Sequence, residues 1–138
     1  MAKIVNIQEQ RILKDYLDSI NSPDPRLYDL ALMVNGGYSH PITVSAGGII
    51  YSGTLVGEKE WIESNLKLVK ETSDLPFNDE NIQYYNELID NFDDSNEHFP
   101  RFVHMKDVNI ISHPSADMPA FLWRIRIDRI DAFHIGRK

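Results

Sequence analysis

Cysteine is absent from the 138 residues. That removes a disulfide framework, a zinc–thiolate site and a thiol nucleophile at once, and the reducing cytoplasm is the expected compartment. Long apolar runs are missing too. No uninterrupted stretch approaches the roughly 18 residues a membrane span needs, and "MAKIVNIQEQRIL" at the N-terminus carries no apolar run of signal-peptide length. The third absence is local: from Glu71 to Glu97 there is no Lys or Arg, while nine residues are acidic. From Leu122 to Lys138 the balance reverses, with five basic residues and two acidic ones, within a chain whose formal net charge is −7. A phosphate backbone would be repelled by the first region and attracted only weakly by the second, so nucleic acid is a poor default partner.

Catalytic and ligand-binding motifs are equally scarce. The glycine-rich stretch "GGIIYSGTLVGEKEW", 47–61, invites a phosphate-loop reading. The spacing is wrong for Gly-x4-Gly-Lys-Ser/Thr, Glu58 follows Gly57 where a lysine is needed, and a dinucleotide fingerprint fails after Gly53. The glycines suit a hairpin and a bent strand instead, and Gly53 is expected at a bulge or sharp bend. None of the five histidines, His40, His98, His104, His113 and His134, pairs with another at i+3 or i+4, so no zincin-like spacing exists. Ser115 and Asp117 lie in "SADMP" without a Gly-x-Ser-x-Gly elbow. "DNFDDSNEH" lacks the glycine and the final glutamate of a calcium loop. No catalytic residue, metal ligand or cofactor is assigned.

The remaining pattern is that of one domain. Ile12, Leu13, Tyr16, Leu17 and Ile20 recur at helical spacing, so 4–20 is expected as a helix stopped by "NSPDP"; this N-terminal block is taken as 1–26. "LYDLALMV", 27–34, alternates in part and is expected as a strand. "ITVSA" and "IIYSGTLV" read as two strands joined at Gly47–Gly48, completing a strand block over 27–57. Residues 58–71 and 79–92 read as two helices of an acidic insertion, 58–98. Trp61, Ile62 and Leu66 fall near one face of the first, and Asn78 is expected to cap the second. The last block, 99–138, holds "RFVHMKDVNIIS" and "FLWRIRIDRIDAFHIG". In the latter Trp123, Ile125 and Ile127 should face the core, while Arg124 and Arg126 face out and pair with Asp128 or Asp131. Strands linked by hairpins rather than alternating with helices predict an α+β fold. Its sheet would be small, antiparallel and strongly bent, or an Sm/SH3-like barrel, with an N-terminal helix and the two-helix acidic insertion.

Taken in order, "ITVSAGGIIYSGTLVGEKEWIE", the acidic helices, "FVHMKDVNII" and "LWRIRIDRIDAFHIG" resemble the gas vesicle accessory protein U family. The likeness covers residues 28–137, and the Leu-Trp-Arg segment is its most specific part. The resemblance implies an accessory role in bacterial gas vesicles without catalysis, with vesicle components as partners; further copies of the chain are expected separately, from the open edge of a terminal strand and the opposite charges of 71–97 and 122–138. Gly53, Trp61, His104, Trp123, Arg124, Arg126 and Phe133 are the structural or interaction residues singled out. A second likeness is to Sm-like barrels, where a helix also precedes five bent strands; it implies a nucleic-acid binder, against which the helical insertion and acidic balance count. A third reading is a small hydrolase or metal enzyme whose site is assembled from scattered His, Asp and Arg.

Overall fold

The computed structural model describes residues 9, 10, 13, 24–72, 77–92, 100–112 and 121–137. From residue 24 onward, the described residues form three α-helices and five strands, in the order α1 (Pro25–Asn35), β1 (His40–Ala46), β2 (Ile49–Val56), α2 (Glu58–Glu71), α3 (Asn78–Asp90), β3 (Phe102–Ile110), β4 (Phe121–Arg126) and β5 (Ile130–Ile135). The fold is α+β with a bent antiparallel sheet, as the pattern of turns predicts. The expected helix over 4–20 lies outside the described residues, apart from Glu9, Gln10 and Leu13, which are helical.

One element differs in kind. The stretch 27–34, expected as a strand, is the body of helix α1. Its start signal sits just upstream: the Asp24 side chain accepts hydrogen bonds from the Arg26 and Leu27 amides, and Pro25 takes the first turn. Proline there loses no helical hydrogen bond, and its fixed φ suits the helix. Leu27, Ala31 and Val34 then fall at i, i+4 and i+7, and all three are buried in the core. The same residues alternate in part, but the cap and the helical stripe agree with each other and prevail.

The sheet order is β4-β3-β2-β1-β5, every neighbouring pair antiparallel. The β1–β2 hairpin turns on Gly47 and Gly48, whose φ values of 58° and 81° are both positive, as a two-residue type I′ turn requires. On one face Ile42, Val44, Leu55, Val103, Met105 and Ile125 meet α1 in a single core. Alternation along the strands sends Thr43, Ser52, Thr54, His104, Lys106 and Arg124 to the other face.

The bend has a specific origin. Ser52 pairs with Asn109 and Thr54 with Lys106, so β3 carries one residue more than β2 across Gly53. The register of β3 against β4 skips at the same place. The extra residue is Asp107, held at φ 52°. Gly53 therefore lies opposite the bulge rather than on the bulged strand, a refinement of its expected place. Arg137 closes this corner, donating from Nη2 to the Asp107 carbonyl at 2.6 Å and from Nη1 to Thr54 Oγ1 at 3.2 Å. Next to it, Thr43 Oγ1 donates to the Gly136 carbonyl at 2.8 Å and lies 3.1 Å from Ser52 Oγ.

The last long alternating stretch is two strands, not one. A single 3-10 turn, Ile127–Arg129, breaks it, and β5 crosses to the far edge beside β1. Ile127 still points into the core from the turn. Arg126 finds Asp128 at 2.7 Å, so of the two expected partners the nearer one in sequence is used. The strands β4 and β5 are the two edges and are not paired with each other, so the sheet bends without closing into a barrel.

Candidate interaction site

The outer face of β3 and β4 is where the two-helix insertion joins the sheet. Helix α2 begins at Glu58 directly after β2, and its first turn is held by a neighbour: the Glu58 amide donates to Asn35 Oδ1 of α1 at 3.2 Å. That fixes the helix so that its first turn presents Glu58, Glu60 and Trp61 to the outer face. Glu60 accepts from Lys106 Nζ at 2.8 Å. This contact raises the Lys106 ammonium above its usual value, first through the hydrogen bond itself. Glu58 lies 3.9 Å from Arg124 Nη2, at the outer limit of an ion pair. Both pairs are partly exposed and worth at most about 1 kcal/mol each.

The aromatic contacts are closer. The Trp61 and His104 ring centroids are 5.1 Å apart, and Phe102 stands 6.4 Å from His104 on its other side. The Arg124 guanidinium lies 3.8 Å above the Phe102 ring, a cation–π geometry. His104 is buried, and its Nε2 has no hydrogen-bond partner among the described residues. Burial, and secondarily the Arg124 charge, push its pKa down from 6.5 to about 4. The imidazole is therefore neutral at pH 7.

Beyond this cluster a groove of about 610 Å³ opens where β2 leaves the sheet and β3 enters it. Val34, Leu88, Phe92, Phe102, His104 and Arg124 are among its lining residues. Helix α3 forms one wall. Its apolar stripe Ile82, Tyr85, Leu88, Ile89 and Phe92 is only half-buried, because α3 packs on α2 and stands off the sheet. Asn78, expected as the cap of α3, is instead its first helical residue. Phe77 precedes it with φ 61°, and the Asn78 Oδ1 atom is buried without a partner among the described residues.

The structure thus brings Trp61, His104 and Arg124 together and separates the other candidates from them. Trp123 points to the opposite face and tilts against Tyr51 with centroids 5.0 Å apart. Phe133 packs on the core from β5, beside Val44. Arg126 is spent on the turn, and Gly53 serves the strand crossing. The roles of Phe102, Glu58 and Leu88 escaped sequence reasoning; the alternation of Phe102 with Val103 on β3 was the available signal. His98, His113, Ser115, Asp117 and the acidic run after Phe92 lie outside the described residues. Among the described residues no group of three or more His, Cys, Asp or Glu is placed to hold a metal ion, and no helix is long and apolar enough to cross a membrane.

Comparison with known proteins gives one finding. A family model described as "Gas vesicle protein GvpU-like" matches residues 24–138, nearly the whole chain. Neither the curated proteins nor the solved structures compared with the chain gave a match.

Proposed function

The chain belongs to the gas vesicle protein GvpU-like family, and on that premise we propose that it is a non-enzymatic accessory protein that works by binding, in the formation or clustering of gas vesicles in the cytoplasm. The family match over residues 24–138 is the observation that carries this reading. The geometry is compatible with it: the insertion offers an open apolar groove with charged rims, a surface suited to a partner rather than to bond-breaking. Self-association belongs to the same reading. Among the described residues edge strands β4 and β5 each lack a second neighbour in the sheet, and an unpaired strand edge is a template for another chain.

Flotation tests the proposal. Purified protein mixed with gas vesicles should rise with the buoyant layer on low-speed centrifugation, saturably and in proportion to vesicle surface. Protein that stays in the liquid beneath at every concentration, together with unchanged vesicle yield and clustering in cells lacking the gene, would overturn it.

A further inference from the structure

We infer that Asn35 is a self-modification site, where the backbone nitrogen of Gly36 displaces the side-chain amide and the chain passes into aspartate and isoaspartate forms. The inference goes beyond the interaction reading and does not rest on it. Asn35 is the only one of the ten asparagines that is followed by glycine. Gly36 carries no Cβ, so nothing of its own hinders its nitrogen from reaching Asn35 Cγ. The pair lies where α1 ends: Asn35 is half-buried, and Gly36 and Gly37 are exposed. Two bonds hold the turn closed, from the Gly36 amide to the Met33 carbonyl at 3.0 Å and from the Gly37 amide to the Val34 carbonyl at 3.1 Å. They are the last of the helix, and exposed helix ends open readily. Asn65, Asn81, Asn86 and Asn109 instead lie inside helices or a strand and precede Leu66, Ile82, Glu87 and Ile110.

The partner of the side chain favours the reaction. Asn35 Oδ1 accepts from the Glu58 amide, the first of α2, at 3.2 Å. That N–H polarises the side-chain carbonyl and stands where negative charge develops on Oδ1 as nitrogen attacks Cγ, and the positive end of α2 adds to it. Hydroxide removes the Gly36 amide proton, and a bond forms from that nitrogen to Cγ. The bond from Cγ to Nδ2 breaks, and Nδ2 leaves as ammonia with a proton from water. The five-membered succinimide then takes up one water at either carbonyl and opens to aspartate or isoaspartate. Aspartate sets a carboxylate against the start of α2, whose dipole favours it, and at the end of α1, whose dipole does not. Isoaspartate lengthens the main chain between α1 and β1 by one methylene. The corner has no room for it: a Cβ on Gly57 would sit 2.7 Å from the Val34 carbonyl oxygen and 3.3 Å from Asn35 Cα, so the end of α1 and the start of α2 are already in contact. The added atom displaces α2, and Trp61 in its first turn moves with it.

The test incubates the full chain at 37 °C at pH 7 and pH 8 and follows every asparagine by peptide mapping, with isoaspartate labelled by isoaspartyl methyltransferase. Asn35 should convert at least tenfold faster than any other asparagine, and about tenfold faster at pH 8 than at pH 7, as dependence on hydroxide requires. Glu58→Pro removes the donor to Oδ1 at the first helical position, where proline is tolerated, and Gly57 before it has the φ of −71° and ψ of 160° that suit a residue preceding proline. It should slow conversion severalfold, whereas Glu58→Gln, which keeps the amide and loses the charge, should convert at the parental rate. The converted protein, separated by ion exchange, should show a shifted Trp61 indole N–H in nitrogen-15 NMR and an unmoved Trp123 indole. Conversion of another asparagine first or at an equal rate would overturn the site. Equal rates in Glu58→Pro and Glu58→Gln would overturn the part given to the α2 amide, and a converted protein with its Trp61 signal in place would overturn the displacement of α2. If Glu58→Pro does not fold, the selectivity and pH slope of the parent protein decide.

Discussion

A methyl group on Gly53 would sit 2.8 Å from the Lys106 carbonyl oxygen and 3.0 Å from Val108 Cγ2. Two of its three neighbours are backbone atoms, which cannot rotate aside, so the strands would have to part at the bulge. Gly53→Ala is therefore expected to destabilise the protein by about 1–3 kcal/mol, the usual range for overpacking, measured as a lower urea midpoint with an unchanged slope. Trp123 poses the opposite case. It alternates inward as its strand pattern demands, yet it is half-buried and shares its face with Tyr51. Its removal deletes an aromatic pair and leaves a notch open to solvent rather than a sealed cavity. Trp123→Ala is expected to cost about 3 kcal/mol, the lower end for a large aromatic, and a thermal melt unchanged by the substitution would contradict the inward placement. Both residues were legible in the sequence, the first from a glycine inside an apolar strand and the second from strict alternation. Asp107 was not, because nothing in "HMKDVN" marks which residue takes the left-handed conformation. Aspartate tolerates it better than most, but the sequence offers the same residue type in many places.

At the scale of elements, α2 meets the sheet at His104, whose imidazole is neutral at pH 7. Its pKa in the folded protein is lowered from 6.5 to about 4, while the unfolded chain titrates near the ordinary value. The folded state thus binds the proton more weakly. The contribution to stability is full above pH 6.5 and is lost as pH falls from 6.5 towards 4. At about 1.4 kcal/mol per pH unit, the loss over that window is about 3 kcal/mol. Chemical denaturation at pH 7 and pH 4.5 should show it, and the difference should shrink by most of that amount in His104→Phe, whose ring keeps the contact with Trp61. A variant with the same acid sensitivity as the parent would place the titration elsewhere. Element types show where local signals suffice. Helices α2 and α3 and strands β1, β2 and β3 follow from periodicity and turn glycines, whereas the break between β4 and β5 interrupts an unbroken alternation. Helix α1 was misjudged because its cap, Asp24, and its proline lay in a segment that read as a helix stop; Pro25, read as unable to continue one helix, instead opens another. The site was half-legible. Trp61, His104 and Arg124 could be singled out one by one, but their meeting depends on Asn35 capping α2, a contact between residues 23 positions apart that no local pattern encodes.

For the whole molecule, charge of opposite sign gathers in different parts of the chain: nine acidic residues over 71–97 and five basic against two acidic over 122–138. Such segments on two copies would attract each other at low ionic strength, and β4 and β5 would add strand edges that are unpaired among the described residues. Association is expected, and a salt series separates its causes. The Debye length falls from about 10 Å at 0.1 M salt to about 3 Å at 1 M, so particle size by light scattering should drop with salt if charge dominates and persist if strands pair. A monomer at every salt and at high protein concentration would remove self-association. The sheet order also has a consequence in time. Strand β1 lies between β2 and β5, so one flank is served by the next segment to be made and the other by a segment beginning 84 residues beyond its own end, Ala46 to Ile130. At roughly 5–20 residues per second of synthesis, a growing chain carries the Ile42 and Val44 strand with one flank open for roughly 4–17 s. During that interval the open flank is a template on which another strand would pair. Chaperone occupancy on the nascent polypeptide should therefore begin when β1 emerges and end only after β5 has cleared the exit tunnel.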